Sequence, residues 1–405
     1  MKTLKDGEFK NKIVLVRCDF NVALDDLGKI SDDFRILKAL PTIKSLIGKG
    51  AILVLMSHME KNGQPTSLKA VSKRLERMLL RRIIFLSDCV GENINARIKT
   101  AKPGQIILME NLRFHAEEKS NDVNFAKQIA RMGDCYVNEA FSASHRRHAS
   151  IVSVPKYLPS YAGLLFEDEV ANLSRIIKAP GHPFVVIIGG AKIETKSKMI
   201  ANIAPVADHI LVGSKIGEKI LEQKNQLMGR RPDPAESSFN AIDLTSSKIH
   251  LPIDGMLVLK SHSEGYLRTA AIGNMRTEED IYDIGPETIK FFSGIIRDAK
   301  TIFFNGPVGL FEKPEFAKGT KAILEAISRA HGAYRVAGGG ETLEAIHKFK
   351  AQDCFNFLST GGGAMLEFLA GDKFPGIEAL DNAPNAGGIP TPDSNVPLPP
   401  KRTSN

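Results

Sequence analysis

A chain of 405 residues exceeds what one ordinary core organises, at roughly 150 residues per domain, so two large domains are expected. Hydrophobic residues at 43%, charged residues at 25% and 34 glycines make the composition that of a folded globular protein and exclude a chain disordered over most of its length. A net charge of +8 suits nucleic acid and a small polyanion equally, so the placement of the basic residues has to decide between them.

The opening MKTLKDGEFKNK carries charges where a secretory signal needs an apolar stretch, and no apolar run approaches the roughly 20 residues that cross a bilayer. A cytoplasmic location with no membrane partner is expected. Short apolar runs then alternate with helical patterns. They are IVLV (Ile13 to Val16), ILVLM (Ile52 to Met56), IIFL (Ile83 to Leu86), IILM (Ile106 to Met109) and CYV (Cys135 to Val137). After a gap come FVVII (Phe184 to Ile188), ILV (Ile210 to Val212), MLVL (Met256 to Leu259), IFF (Ile302 to Phe304), YRVA (Tyr334 to Ala337) and FNFL (Phe355 to Leu358). Continuous apolar runs of this length predict central strands of parallel sheets covered on both faces.

Between the groups, FEDEVANLSRIIK puts Phe166, Val170, Leu173 and Ile177 on one helical face, which predicts a helix joining the domains. Lys69 to Arg82 predicts an amphipathic helix with a solvated basic face. With no basic stripe interleaved with aromatics and no tryptophan, no nucleic-acid partner is expected. Cys18, Cys89, Cys135 and Cys354 stand without C-x-x-C spacing, which argues for idle thiols over a zinc site. From Asp381 the sequence is rich in proline and asparagine without periodicity, and a disordered tail is expected. The fold class expected is α/β: two doubly wound, parallel-sheet, Rossmann-like domains joined by a hinge helix.

In open α/β sheets ligands bind outside the carboxyl ends of the strands, so the residues after each run are the candidates. In the first half they read RCDFN (Arg17 to Asn21), SHMEK (Ser57 to Lys61), ENLRFH (Glu110 to His115) and NEAFSASHRRH (Asn138 to His148). In the second they read GGAKIETK (Gly189 to Lys196), GSKIGEK (Gly213 to Lys219), NGPVGLFE (Asn305 to Glu312), GGGET (Gly338 to Thr342) and STGGG (Ser359 to Gly363). Arg35, His58, Arg113, His145, Arg146 and His148 suit a carboxylate and phosphate pocket, although each alone would pass for a surface charge. Glycines between strand and helix let backbone N–H groups approach phosphate oxygens, and two such loops point to a nucleotide. Neither a P-loop nor a dinucleotide fingerprint is present.

At these segments the chain closely resembles the phosphoglycerate kinase family. The resemblance runs from about Met1 to Leu380 and rests on RCDFNV, DDFRILKALPTI, ENLRFH, HRRHAS, GGAK, DIGPET, FNGPVGLFE, GGGET and STGGGA in the family's order. It implies reversible transfer of the 1-phosphoryl group of 1,3-bisphosphoglycerate to Mg-ADP, giving 3-phosphoglycerate and ATP, by a monomer. The domains it implies are 1–165 for the glycerate, a 166–179 linker helix and hinge, 180–365 for the nucleotide, a 366–380 segment returning to the first domain, and the 381–405 tail. It assigns Asp19, Phe20, Asn21, Arg35, His58, Lys61, Arg113, His145, Arg146 and His148 to the acid substrate. Lys196, Asn305, Glu312, Gly338, Gly339, Gly340, Glu341 and Thr342 fall to ATP, Glu341 to Mg²⁺, and Arg35, Lys192 and Lys196 to catalysis.

The chain departs from the family's usual pattern at Glu60 and Lys61, at Glu341, at NEAFSASH and at GSKIGEK. Those departures support a second reading, a relative that binds nucleotide or metabolite without turnover. Binding of nucleic acid through the basic surface ranks below it.

Overall fold

Runs such as Ile52 to Met56 offer no polar side chain to water, so their strands must be covered on both faces. The computed structural model describes residues 1–190, 196–213, 215–221, 243, 246–261 and 266–385. The chain divides into two compact units. The first holds Met1–Ala140, Arg146–Leu165 and the chain from Pro375; the second holds Phe141–His145 and Phe166–Phe374.

The first unit contains β1 (Ile13–Arg17), β2 (Ile52–Met56), β3 (Glu60–Lys61), β4 (Gln64–Pro65), β5 (Ile83–Phe85), β6 (Ile106–Leu108), β7 (Cys135–Asn138) and β8 (Ser160–Ala162). Its main sheet has the order β5-β6-β2-β1-β7-β8, and every pairing in it is parallel. From β1 the chain first builds outward through β2, then returns to add β7 on the other side. That reversal opens a crevice at the carboxyl ends of β1 and β7. The Phe34–Gly48 helix repeats apolar residues at helical spacing, and its Ile36, Ile43 and Leu46 enter the same buried cluster as Val14, Val16, Leu53 and Leu55 of the sheet.

The second unit contains β9 (Phe184–Ile188), β10 (His209–Val212), β11 (Ile249–His250), β12 (Asp254–Leu259), β13 (Leu267–Ala271), β14 (Glu279–Ile284), β15 (Thr301–Asn305), β16 (Tyr334–Gly338) and β17 (Phe357–Ser359). Its parallel sheet has the order β11-β10-β9-β15-β16-β17. That is the 3-2-1-4-5-6 order of nucleotide-binding folds, with the reversal between β9 and β15. All five residues of β9 and of β15 are buried.

Two parallel α/β sheets were expected, and the structure has both, but one strand sits elsewhere. MLVL, read as a parallel core strand, lies in β12 at the centre of an antiparallel sheet ordered β13-β12-β14. A four-residue apolar run cannot by itself distinguish the two settings. Its partner β14 escaped notice because it buries an acid: Glu279 accepts from Arg268 Nε and Nη2 and from Tyr266 Oη, each at 2.6 Å, and these hold its pKa down at about 2.

The joining helix spans Leu164–Lys178 and buries Phe166, Glu169, Leu173 and Ile176, so Glu169 and Ile176 take the places expected of Val170 and Ile177. The face is turned because Glu169 is a buried acceptor. It takes hydrogen bonds from Ser359 Oγ at 2.6 Å, Thr360 N at 2.6 Å and Thr360 Oγ1 at 2.9 Å, fixing the start of STGGG. At the other end of the chain, the Met1 amino group pairs with Asp381 at 2.6 Å and Lys2 Nζ donates to Asn385 at 2.5 Å. The chain is therefore built through Asn385, four residues beyond the point where the tail was expected to begin; residues 386–405 lie outside the described residues. Residues 366–374 count with the second unit and the return to the first begins at Pro375.

Glu169→Ala leaves two hydroxyls and a backbone N–H without their acceptor and should cost about 3 kcal/mol. Glu169→Gln, which keeps one acceptor, should cost less. Urea unfolding midpoints of the two variants, followed by circular dichroism, check the order; equal midpoints for Ala and wild type would remove this role.

Candidate active site

In the first unit the polar residues gather where β1, β2, β6 and β7 end. Arg17, the last residue of β1, is fully buried; its Nε donates to Ser150 Oγ at 2.8 Å and its Nη2 to His58 Nδ1 at 3.3 Å. Since Nδ1 accepts, the His58 proton resides on Nε2. Burial first, then the neighbouring Arg17, Arg113 and Arg35 charges, push the His58 pKa well below the ordinary histidine range, against the pull of Asp19. His58 is thus a neutral donor beside several cations.

Asp19 pairs with Arg35, which projects from the first turn of the Phe34–Gly48 helix, and its Oδ1 accepts from Asn21 N at 3.0 Å. Arg113 is 6% exposed and meets Glu60 at 2.8 Å; its Nε and the Nδ1 of His148 are buried without hydrogen-bond partners. Burial, with Arg113, Arg17, Arg146 and Lys119, lowers the His148 pKa to about 4. Arg35, His58, Arg113, Arg146 and His148 therefore share one electropositive neighbourhood with Asp19 and Asn21. Such a group binds carboxylate and phosphate.

Three expected members are placed differently. Phe20 has 0% exposure and its ring belongs to the hydrophobic core; only its backbone N–H, donating to Ser57 Oγ at 2.8 Å, reaches the polar rim. Lys61 Nζ donates to the Asp25 carbonyl at 2.8 Å. His145 counts with the second unit, where its Nε2 faces Glu367 Oε1 at 3.9 Å. Arg17 stood in a candidate segment without an assigned role, and Glu118 was missed. Arg17 was visible as the one charge ending an apolar strand run, whereas nothing in the sequence singles out Glu118, which accepts from Ser150 N at 2.9 Å and Oγ at 2.6 Å.

Cys89 also has neighbours its spacing did not disclose. Its N–H and His115 Nε2 both meet Asp88 Oδ1, at 2.6 and 2.7 Å, and burial raises its thiol pKa. The Asp88–His115 contact ties the segment after β5 to the residue that precedes the Ala116–Ser120 helix.

In the second unit the ends of β9 and β15 approach so closely that neither can carry side chains there. A Cβ on Gly306, whose φ is +99°, would stand 2.3 Å from Gly189 O and 2.7 Å from Lys196 Nζ. Lys196 is 8% exposed and donates to Gly189 O at 2.5 Å and Asn305 O at 3.3 Å. Burial lowers its pKa to about 8, with Glu341 opposing the shift. At neutral pH it remains a cation.

Across the sheet, Asn305 Nδ2 donates to Gly338 O at 2.6 Å and Thr342 Oγ1 accepts from Gly306 N at 2.7 Å. Gly339 turns at φ +106° into the Gly340–Lys348 helix, whose first turn carries Glu341. The positive end of that helix and its free N–H groups suit a phosphate. Beside it lies a cavity of about 260 Å³ lined by Gly190, Ile281, Tyr282, Leu310, Glu312 and Glu341 among others. Apolar walls from Ile281, Tyr282 and Leu310, with a carboxylate at Glu312, suit a base and a ribose. The first two walls were missed because β14 was not foreseen. Lys215 lines the same cavity with its charge committed to Asp280 at 2.8 Å and Glu218 at 3.2 Å; Ser214 and Lys192 lie outside the described residues.

A model of the phosphoglycerate kinase family matches residues 4–372. The chain belongs to that family. It is 39% identical over 396 residues to the phosphoglycerate kinase of Coprothermobacter proteolyticus, covering 94% of this chain and 98% of that one. The phosphoglycerate kinase of Moorella thermoacetica is 39% identical over 388 residues, 93% of this chain and 98% of its own. Among solved structures, the enzyme from Coxiella burnetii superposes with a TM-score of 0.80 at 32% identity and 94% coverage of this chain, 98% of its own. That from Pyrococcus horikoshii does so with 0.81 at 30%, over 94% and 99%. Like other phosphoglycerate kinases, the chain is a phosphotransferase of glycolysis that uses 1,3-bisphosphoglycerate with ADP, or 3-phosphoglycerate with ATP.

One further acid shapes the cavity of the second unit. Asp283, from DIGPET, is buried and accepts from Gly319 N at 2.7 Å and Ile284 N at 2.9 Å. Its carboxylate packs where a Cβ on Gly309 would come within 2.0 Å, so it sets the loop that carries Leu310. Burial raises its pKa to about 7 from an ordinary 3.8, although the two N–H groups pull the other way. The folded state therefore holds this proton more tightly than the unfolded chain. The associated stability is complete below about pH 4 and is lost as pH rises through about 7. Between pH 5 and pH 8 the wild type should lose stability on the order of 3 kcal/mol relative to Asp283→Asn. Urea unfolding of both proteins at the two pH values decides it, and parallel losses would refute the assignment.

Proposed function

We propose that the first unit binds the glycerate and the second the nucleotide, and that Arg35 and Lys196 carry the charge of the migrating phosphoryl group. The observation that carries this is the buried Lys196, a cation held by two strand-end carbonyls at the reversal of the sheet, next to a glycine-lined cavity. The reaction needs little covalent help from protein. A β-phosphate oxygen of ADP attacks the phosphorus of the acyl phosphate, the bond from that phosphorus to the carboxyl oxygen breaks, and 3-phosphoglycerate leaves as a carboxylate carrying the bond electrons. Attacking and leaving oxygens are already ionised, so no general base is required; alignment and charge neutralisation supply the catalysis.

Arg113, Arg146, Asn21 and the Nε2–H of His58 would take the carboxylate and 3-phosphate of the glycerate, with Asp19 orienting Arg35 and His148 close by. Backbone N–H groups of Gly338–Thr342 would take the nucleotide phosphates, assisted by Lys192 and by Asn305, which holds β15 to β16. Glu312 would accept from the ribose hydroxyls. Glu341 is a hard oxygen donor lining the cavity and facing Gly190, where a Cβ would lie 2.8 Å from its Oε2, so the residues present fit Mg²⁺. Bound there with the nucleotide, the ion would neutralise phosphate charge.

In-line transfer requires the reacting atoms within about 3.5 Å, so we infer that the two units close on each other with the Leu164–Lys178 helix as part of the hinge. A cytoplasmic monomer is the reading that the family membership supports; among the described residues no helix is long and apolar enough to cross a membrane.

A coupled assay should detect ATP formed from 1,3-bisphosphoglycerate and Mg-ADP, and its absence at high enzyme concentration would overturn the reading. Arg35→Ala should lower kcat on the order of 10²-fold or more while the KM for ADP moves less than about threefold. The pH profile tests Lys196. As pH passes about 8 the ammonium loses its proton and its charge, so kcat/KM for the nucleotide should fall above that point. Lys196→Arg, charged throughout, should show no such fall at whatever lower rate it retains.

A further inference from the structure

Glu60 stands on a hairpin whose construction leaves its side chain little choice. β3 and β4 pair antiparallel through Asn62 and Gly63, which have φ of +52° and +77°, as a two-residue I′ turn requires. Alternation along β3 sends Glu60 and Lys61 to opposite faces, so the lysine reaches the Asp25 carbonyl while the glutamate is turned toward Arg113. The base of the hairpin is clamped by buried Asn111, whose Nδ2 donates to Met59 O at 2.6 Å and Thr66 O at 2.7 Å. The same Asn111 accepts from Arg113 N at 2.9 Å through Oδ1, and Asn21 Oδ1 accepts from Glu60 N at 2.9 Å. One asparagine thus fixes both the hairpin and the arginine it faces.

The result is a carboxylate in a set position, 2.8 Å from Arg113 and 3.0 Å from Lys119. An ordinary surface ion pair would carry little consequence. Here the Arg113 side chain is only 2% exposed, its Nη1 meets Glu60 and its Nε has no hydrogen-bond partner, so the carboxylate is the anion this buried guanidinium sees when no ligand is bound. The pKa of Glu60 is lowered by Lys119 and Arg113 against its partial burial, so it stays ionised at neutral pH.

Resting on the proposed assignment of the acid substrate to this unit, we propose that Glu60 is an internal competitor that sets the affinity for that substrate. An incoming carboxylate or phosphate must displace the Glu60 carboxylate from Arg113 or bind beside a fixed negative charge, and either route weakens binding. Lys119, half exposed and already bonded to Glu60, is positioned to keep the displaced carboxylate. Glu60 does not touch the reacting atoms in this scheme; it specifies how strongly the acid is held. The nucleotide should be indifferent to it.

Isothermal titration with 3-phosphoglycerate, beside steady-state kinetics, tests the proposal on wild type and Glu60→Gln, which keeps the length of the side chain and removes its charge. The variant should bind 3-phosphoglycerate about tenfold more tightly, equivalent to about 1.4 kcal/mol, with KM for the acid falling in parallel and the Kd for ADP unchanged. Glu60→Gly should shift the same way, which guards against a fold defect particular to glutamine. Unchanged or weaker binding in both variants, with wild type active, would overturn the proposal alone. If wild type turns over but neither Arg35→Ala nor Glu60→Gln alters the acid's affinity, the assignment of this unit to the acid falls and takes the proposal with it.

Discussion

In a parallel sheet every strand ends at the same edge, and each strand must be followed by a return of the chain before the next can begin. That constraint governs what each unit can do. It delivers the residues after β1, β2, β6 and β7 to one rim, and those after β9, β15 and β16 to another, whatever lies between them in sequence. Where the strand order reverses, neighbouring connections depart to opposite faces and a crevice is left open. In the first unit the crevice is furnished with arginine and histidine. In the second it is furnished with glycine, because Gly189 and Gly306 stand too close for side chains and the space goes to the ammonium of Lys196.

The rims could be read in advance because their cause lies in the apolar runs, and those are local. Ile13 to Val16 and Phe184 to Ile188, rich in Val and Ile and spaced by helical patterns, are the buried strands β1 and β9, and the next residues follow at the strand end. The antiparallel sheet was less legible. MLVL is as apolar as a core strand, while its partner LRTAA buries no residue and EDIYDI sets its buried positions among polar residues. The identity of the cavity walls at Ile281 and Tyr282 followed from that strand, so an error in one element removed two site residues. The place of the Phe20 ring was illegible for the opposite reason. A motif placed it among residues assigned to the acid, yet a phenyl ring three residues beyond a buried arginine gains far more from the core than from a polar rim.

Arginine and lysine at strand ends also differ in how they are used, and exposure separates them. Arg17 is fully buried and spends its donors on Ser150 and His58, so it is a fixed charge that holds the site together. Arg35 is a third exposed and keeps most of its guanidinium available while Asp19 aims it. Sequence shows the charge in both cases and cannot show the partner. The same limit applies to Lys61, whose ammonium finds a carbonyl oxygen on its own side of a hairpin.

The acids carry the largest share of what sequence concealed. Glu118, Glu169, Glu279 and Asp283 are fully or almost fully buried, and each occupies a position that an apolar pattern would assign to solvent or leave unread. A buried carboxylate is tolerated only when its lone pairs are taken by donors. Each of these acids meets that condition with groups distant in sequence: Ser150 for Glu118, Ser359 and Thr360 for Glu169, Arg268 for Glu279, Gly319 for Asp283. Such bonds join segments that the hydrophobic pattern places only loosely, and they do so with hydrogen-bond precision. Glu169 sets the STGGG loop and Asp283 the loop behind Leu310, so both loops owe their shape to buried carboxylates. Glu60 uses the same chemistry with one difference. Its donors, Arg113 and Lys119, can be claimed by another anion, and a carboxylate that would otherwise be structural becomes a competitor for the site it borders.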